Sequence, residues 1–131
     1  MNDMELLNMA FDASKNAYAP HSGYYVGAAV ECADGTIYTG CNVENSSFGA
    51  TLCAERVAVS KAVSDGNRDF TRIAIYGSGA DYCIPCGICR QFLSEFSNDI
   101  DVLCAKDDGR YVTYKLNQLL PYAFKFQGAK P

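Results

Sequence analysis

"FTRIAIYGSGADYCIPCGICRQFLSEFSNDIDVLCA", residues 70–105, decides the fold of this chain. Phe70 to Tyr76 is short and rich in β-branched and apolar residues, as a strand requires, and Gly77 to Pro85 carries the glycines and proline of a loop. Cys86 to Phe96 then reads as a helix and Val102 to Ala105 as a short apolar strand. Strands separated by a helix in this way predict a parallel pairing with the helix packed on one face.

Working outward, the N-terminal side begins with Leu7, Ala10, Phe11, Ser14, Ala17 and Tyr18 on one face at helical spacing. They predict a first helix ending at Ala19-Pro20. Val26 to Cys32 and Ile37 to Cys41 form a hairpin around the turn signal Asp34-Gly35. After the polar loop "NVENSSFGA", Cys53 to Asp65 reads as a helix ended by Gly66. On the C-terminal side, Asp108-Gly109 turns the chain into a strand, Tyr111 to Tyr114, and a short helix, Leu116 to Leu120, stops at Pro121. The expected fold class is α/β: one domain over residues 1–131, a three-layer α-β-α sandwich around one mixed sheet of about five strands. The two long inner helices are expected after adjacent parallel strands, their N-termini opening into one crevice.

Composition narrows the partners. The 131 residues are 49% hydrophobic and 20% charged, with a formal net charge of −4 and scattered Lys and Arg. A polynucleotide binder needs a basic stripe to offset phosphate charge, so no nucleic-acid partner is expected and a small, weakly charged ligand is. No apolar run approaches the ~20 residues that span a bilayer, and Asp3 and Glu5 replace the basic start of a secretion signal. A cytoplasmic protein with no membrane partner is expected. Its seven cysteines then belong to a reducing compartment, where thiols bind metal or react more often than they pair.

Cys86 and Cys89 share one helix face, and both sulfurs reach a single ion at ~2.3 Å. Taken alone, the Cys-x-x-Cys fits a redox dithiol, a metal clasp or simple packing. Cys53 lies at the start of another helix, two residues before Glu55, and a third thiol at a second helix start favours metal. Three thiolates leave a tetrahedral zinc one position short, and the open position is where zinc does chemistry, with Glu55 as the base beside it. The competitor is a closed structural site made by Cys53, Cys83, Cys86 and Cys89, which Pro85 disfavours by breaking the helical path out of Cys83. Cys32, Cys41 and Cys104 sit in or beside apolar strands as small hydrophobes.

Together, "CAER", "PCGICRQ", "GCNVENSSFG" and "LLPYAF" resemble the small homotetrameric zinc-dependent cytidine deaminases, over nearly the whole chain. The resemblance implies one Zn²⁺ per chain on Cys53, Cys86 and Cys89. It implies hydrolytic deamination of cytidine and 2′-deoxycytidine, in which zinc-activated water attacks C4 and Glu55 shuttles the proton, as in zinc deaminases generally. It assigns Asn42 and Glu44 to the ribose hydroxyls, Val43 to backbone contacts, Tyr24 to an aromatic near the nucleoside and the backbone around Ala54 to the base. Phe124 corresponds to an aromatic that reaches a neighbouring subunit's site, and Arg56 to a residue bonding the ligand sulfurs. Taken singly, Asn42 and Glu44 read as a solvated loop, Tyr24 and Phe124 as packing, and Arg56 as a surface charge. His21, Ile84 and Ile88 depart from the usual pattern and bear on pocket shape. A related branch acting on blasticidin S lacks the arginine of "CAER" and the second asparagine of "NVEN"; Arg56 and Asn45 are both present here.

Overall fold

The computed structural model describes residues 1–126. Its elements follow the chain as α1 (Asp3–Ser14), β1 (Val26–Cys32), β2 (Ile37–Cys41), α2 (Ala54–Ser64), β3 (Phe70–Gly77), α3 (Gly87–Ser94), β4 (Asp101–Ala105), β5 (Tyr111–Lys115) and α4 (Leu116–Leu119). The five strands make one mixed sheet in the order β2-β1-β3-β4-β5. Only β3 and β4 pair in parallel; the other three pairings are antiparallel.

The period-two alternation of strands divides the core into two layers. Val30, Ile73, Ile75, Val102 and Cys104 face α2, α3 and α4, whereas Ala29, Ala74, Leu103 and Ala105 face Leu6, Leu7 and Ala10 of α1. Most of these side chains are wholly shielded from water. Each large one contributes about 1.5–3 kcal/mol of apolar burial. The α1 face is lined with small residues because the helix lies very close: a Cβ on Gly27 would fall 1.8 Å from the Ala10 carbonyl oxygen. Gly40 admits α2 to the other face in the same way. The expected three-layer sandwich is the observed one.

Two expectations are corrected. α1 ends at Ser14, five residues before Ala19-Pro20. The N–H groups of Lys15, Asn16 and Ala17 bond back three residues, tightening the last turn, and Tyr18 leaves to exchange bonds with Asn42 and Glu44. Tertiary pairing with the "NVEN" loop thus overrides helical periodicity. Second, the strands preceding α2 and α3 are not adjacent. β1 lies between them and is antiparallel to both, so β2 and β3 still run in one direction. Both helices therefore start at the same end of the sheet, which is the condition the crevice needs.

Candidate active site

Cysteines begin both inner helices. Cys53 caps α2 and Cys86 caps α3, each in extended backbone geometry and neither using its side chain to cap. The free N–H groups of a first helical turn carry partial positive charge, which favours sulfur as thiolate. Cys89 sits in the first turn of α3 and is fully buried. The three sulfurs lie within 4.8 Å of one another, with Cys53 and Cys86 3.8 Å apart. A tetrahedron with ~2.3 Å zinc–sulfur bonds has edges of ~3.8 Å. The soft donors and their spacing suit zinc, with one tetrahedral position left for a fourth ligand.

Cys83 is not in that cluster, which removes the four-cysteine alternative among the described residues. Its thiol is buried and pushed up to about 11 by desolvation, the behaviour of an inert cysteine. All seven cysteines are free, including Cys32 and Cys104 in the core.

Arg56, in the first turn of α2, is held by its own cluster rather than by solvent. Its Nη2 donates to the Thr51 carbonyl at 3.1 Å and lies 3.6 Å from the Cys53 sulfur, while its buried Nε has no partner. Contact with Cys53 raises the guanidinium pKa. The Cys53 thiol falls to about 5, first through its hydrogen bond with Cys89 and also through Arg56. Cys89, on the other side of that bond, is pushed well above the usual thiol range.

Glu55 is 4% exposed in the same first turn. Burial raises its carboxyl from 4.5 to about 7, and the Cys53 sulfur adds to the rise. A carboxyl poised near neutrality can both take and give a proton at physiological pH. It opens into a cavity of about 300 Å³ lined by Ser22, Tyr24, Asn42, Glu44, Cys53, Ala54, Cys83, Ile84 and Cys86 among others. Among the described residues, no Lys or Arg lines it.

One part of the cavity wall is built by mutual bonding of two loops. Glu44 accepts from the backbone N–H groups of His21 (2.9 Å) and Ser22 (3.1 Å) and from the Ser22 hydroxyl. Those bonds, Ser22's first, lower its pKa, so it is a carboxylate. Asn42 is buried and accepts from the Val26 N–H at 2.9 Å while donating to the Tyr24 carbonyl at 2.8 Å. One amide N–H of Asn42 is left over.

Of the residues singled out from the sequence, the structure brings together Cys53, Cys86, Cys89, Glu55, Ala54, Arg56, Asn42, Glu44 and Tyr24. Val43 lies outside the cavity lining, its N–H donating to the Leu52 carbonyl and its carbonyl accepting from the Leu52 N–H. Phe124 is 68% exposed and also lies outside the cavity, its carbonyl accepting from Gln91 of α3. Sequence reasoning missed Ser22 and the lining role of Cys83. The Ser22-Gly23 turn signal before Tyr24 was the available clue to the first; a buried cysteine in a loop gives no such clue.

Comparison with known proteins agrees with this geometry. The family model described as the cytidine and deoxycytidylate deaminase zinc-binding region matches residues 1–105. The probable cytidine deaminase of Dictyostelium discoideum is 42% identical over 127 residues, covering 93% of this chain and 86% of that protein. The cytidine deaminase of Sporosarcina psychrophila is 42% identical over 125 residues, covering 95% and 92%. The crystal structure of cytidine deaminase from Burkholderia pseudomallei matches with a TM-score of 0.92 at 38% identity, covering 95% of this chain and 100% of that one. Three converging thiols, a buried acid beside them and these likenesses over most of its length make this chain a member of the cytidine and deoxycytidylate deaminase family.

Proposed function

We propose that the protein hydrolyses cytidine and 2′-deoxycytidine to the corresponding uridines, releasing ammonia. The observation that carries this reading is a buried carboxyl with a pKa near 7 in the same cavity as a three-sulfur cluster. Zinc on Cys53, Cys86 and Cys89 supplies the Lewis acidity that makes water a nucleophile near neutral pH.

The chain's own residues do the rest. Glu55 takes a proton from the attacking water and delivers it to N3 of the ring, which makes C4 electrophilic. It then takes the proton of the hydroxyl newly added at C4 and gives it to the leaving amino group, so that the C4 carbonyl forms as ammonia departs and one carboxyl serves in both directions. Arg56 offsets the excess of three thiolates over a divalent cation, as do the N–H groups at the starts of α2 and α3. The Ala54 backbone and the Tyr24 ring flank the base, and the spare amide N–H of Asn42 and the Glu44 carboxylate take the sugar hydroxyls.

A carboxylate facing a cavity that has no basic side chain among the described residues repels phosphate, which favours nucleosides over nucleotides. Phe124, exposed on its own subunit, completes the cavity of a neighbour in a homotetramer. Seven unpaired thiols suit the cytoplasm. No helix among the described residues is long and apolar enough to cross a membrane, and no nucleic-acid partner is assigned.

The test is loss of the cytidine absorbance band with matching ammonia release by the zinc-loaded protein, with cytidine 5′-monophosphate and blasticidin S in parallel. Fastest turnover of the nucleosides supports the reading. No ammonia, or faster turnover of the monophosphate or of blasticidin S, overturns it.

A further inference from the structure

Tyr24 is fixed on two sides before any ligand arrives. Its N–H donates to the Ser22 hydroxyl at 3.0 Å and its carbonyl accepts from Asn42. The next residue, Tyr25, donates to the Ser78 Oγ at 2.9 Å and accepts from the Ser78 N–H at 3.0 Å, tying this segment to the end of β3. The side chain then lies on bare backbone. A Cβ on Gly77 would fall 2.2 Å from the Tyr24 Oη and 2.8 Å from the Cys83 Cβ, and one on Gly79 would fall 3.1 Å from the Tyr24 ring. The hydroxyl and the Cys83 Cβ thus crowd the same point over Gly77, and Cys83 is buried, lines the cavity and belongs to no metal cluster among the described residues.

We propose that Cys83 is a positioning residue which, with the space left by Gly77 and Gly79, holds the Tyr24 ring as a preset wall of the nucleoside cavity. An aromatic side chain free to change rotamer must be immobilised when a ligand binds, and that ordering weakens affinity. Here the Cys83 side chain beside the hydroxyl and the glycine shelf beneath the ring order it in advance. Glu55 and the three clustered sulfurs hold their positions through α2 and α3, so disturbing Tyr24 affects binding before it affects turnover. The kinetic part of this assignment rests on the nucleoside reading; the placement of the ring does not.

The experiment uses the zinc-loaded protein with Cys83→Gly, Cys83→Val, Tyr24→Ala and the Tyr24→Ala/Cys83→Gly pair. Loss of the packing that presets the ring predicts a rise in KM for cytidine of about fivefold in Cys83→Gly, with kcat falling less than KM rises. Cys83→Val, which keeps a side chain of similar size, leaves KM near wild type, and the double variant is no worse than Tyr24→Ala alone. An unchanged KM in Cys83→Gly, or additive losses in the pair, overturns the proposal. A second measurement needs no substrate: alkylation of Cys83 by iodoacetamide, read by peptide mass. Gly77→Ala evicts the tyrosine and speeds that alkylation several-fold; an unchanged rate overturns the placement whatever the substrate proves to be.

Discussion

Gly40 offers the sharpest test of how the sheet sets the sulfur geometry. It lies in β2, opposite Ala28 of β1, with its missing side chain directed at α2. A Cβ there would sit 2.6 Å from the Ala58 nitrogen and 2.7 Å from the Ala54 oxygen. Both are backbone atoms, so no rotamer change relieves Gly40→Ala. Restoring an ordinary 3.4 Å contact moves α2 away by about 0.8 Å. That helix carries Cys53 and Glu55 at its start, whereas Cys86 and Cys89 stay with α3. Metal bonds tolerate roughly ±0.2 Å, and a misplacement near 1 Å costs catalysis on the order of 100-fold. Gly40→Ala is therefore expected to melt lower, as overpacking by ~1–3 kcal/mol requires. It should also bind zinc at least tenfold more weakly and lose most of its kcat. Gly27→Ala is the control. Its Cβ would strike the Ala10 carbonyl on the opposite face, lowering stability while leaving the sulfurs in place. Zinc competition against a chromogenic chelator and kcat, both taken well below the melting temperatures, separate the two. Unchanged zinc affinity and kcat in Gly40→Ala, or equal zinc loss in Gly27→Ala, refutes the reasoning.

Four further outcomes follow from the site. Glu55→Gln should keep its zinc and lose turnover by ~10²–10⁴-fold, measured by ammonia release; a fully active variant refutes the shuttle role. The same substitution tests the cost of burying the acid. The folded carboxyl binds its proton more tightly than the unfolded one, so wild-type stability falls as pH rises from about 4.5 through about 7. In urea titrations of the zinc-free proteins the Gln variant should match wild type below that window and exceed it above by on the order of 3 kcal/mol; equal stabilities at pH 8 contradict this. Arg56→Ala should fold normally and bind zinc about 10–100-fold more weakly, and unchanged affinity counts against charge compensation. Chelation of zinc should lower the melting temperature along with activity, because metal binding free energy adds to folding free energy; an unshifted melt contradicts that coupling.

Much of this was legible in the residues. Asp34-Gly35 and Asp108-Gly109 are turns with Gly35 and Gly109 at positive φ, and Gly66 ends α2 the same way, because only glycine adopts that backbone without strain. The metal cluster was legible because cysteines at helix starts combine a spacing rule with an electrostatic one. What escaped was decided by contacts distant in sequence. α1 stops at Ser14 because Tyr18 is claimed by Asn42 and Glu44, 24 and 26 positions away. The insertion of β1 between β2 and β3 is a matter of topology that strand order alone leaves open. The pairing of Val43 with Leu52 across the loop and the short 3₁₀ turn Phe48–Ala50 between them carry no periodic signal.

X-ray absorption at the zinc edge of the loaded protein counts the sulfurs around the metal without reference to activity. Three sulfurs at ~2.3 Å and one lighter oxygen or nitrogen scatterer are expected, with Cys83→Val leaving the spectrum unchanged. Four sulfurs in wild type, falling to three in Cys83→Val, would show a closed structural site and contradict the account at its centre.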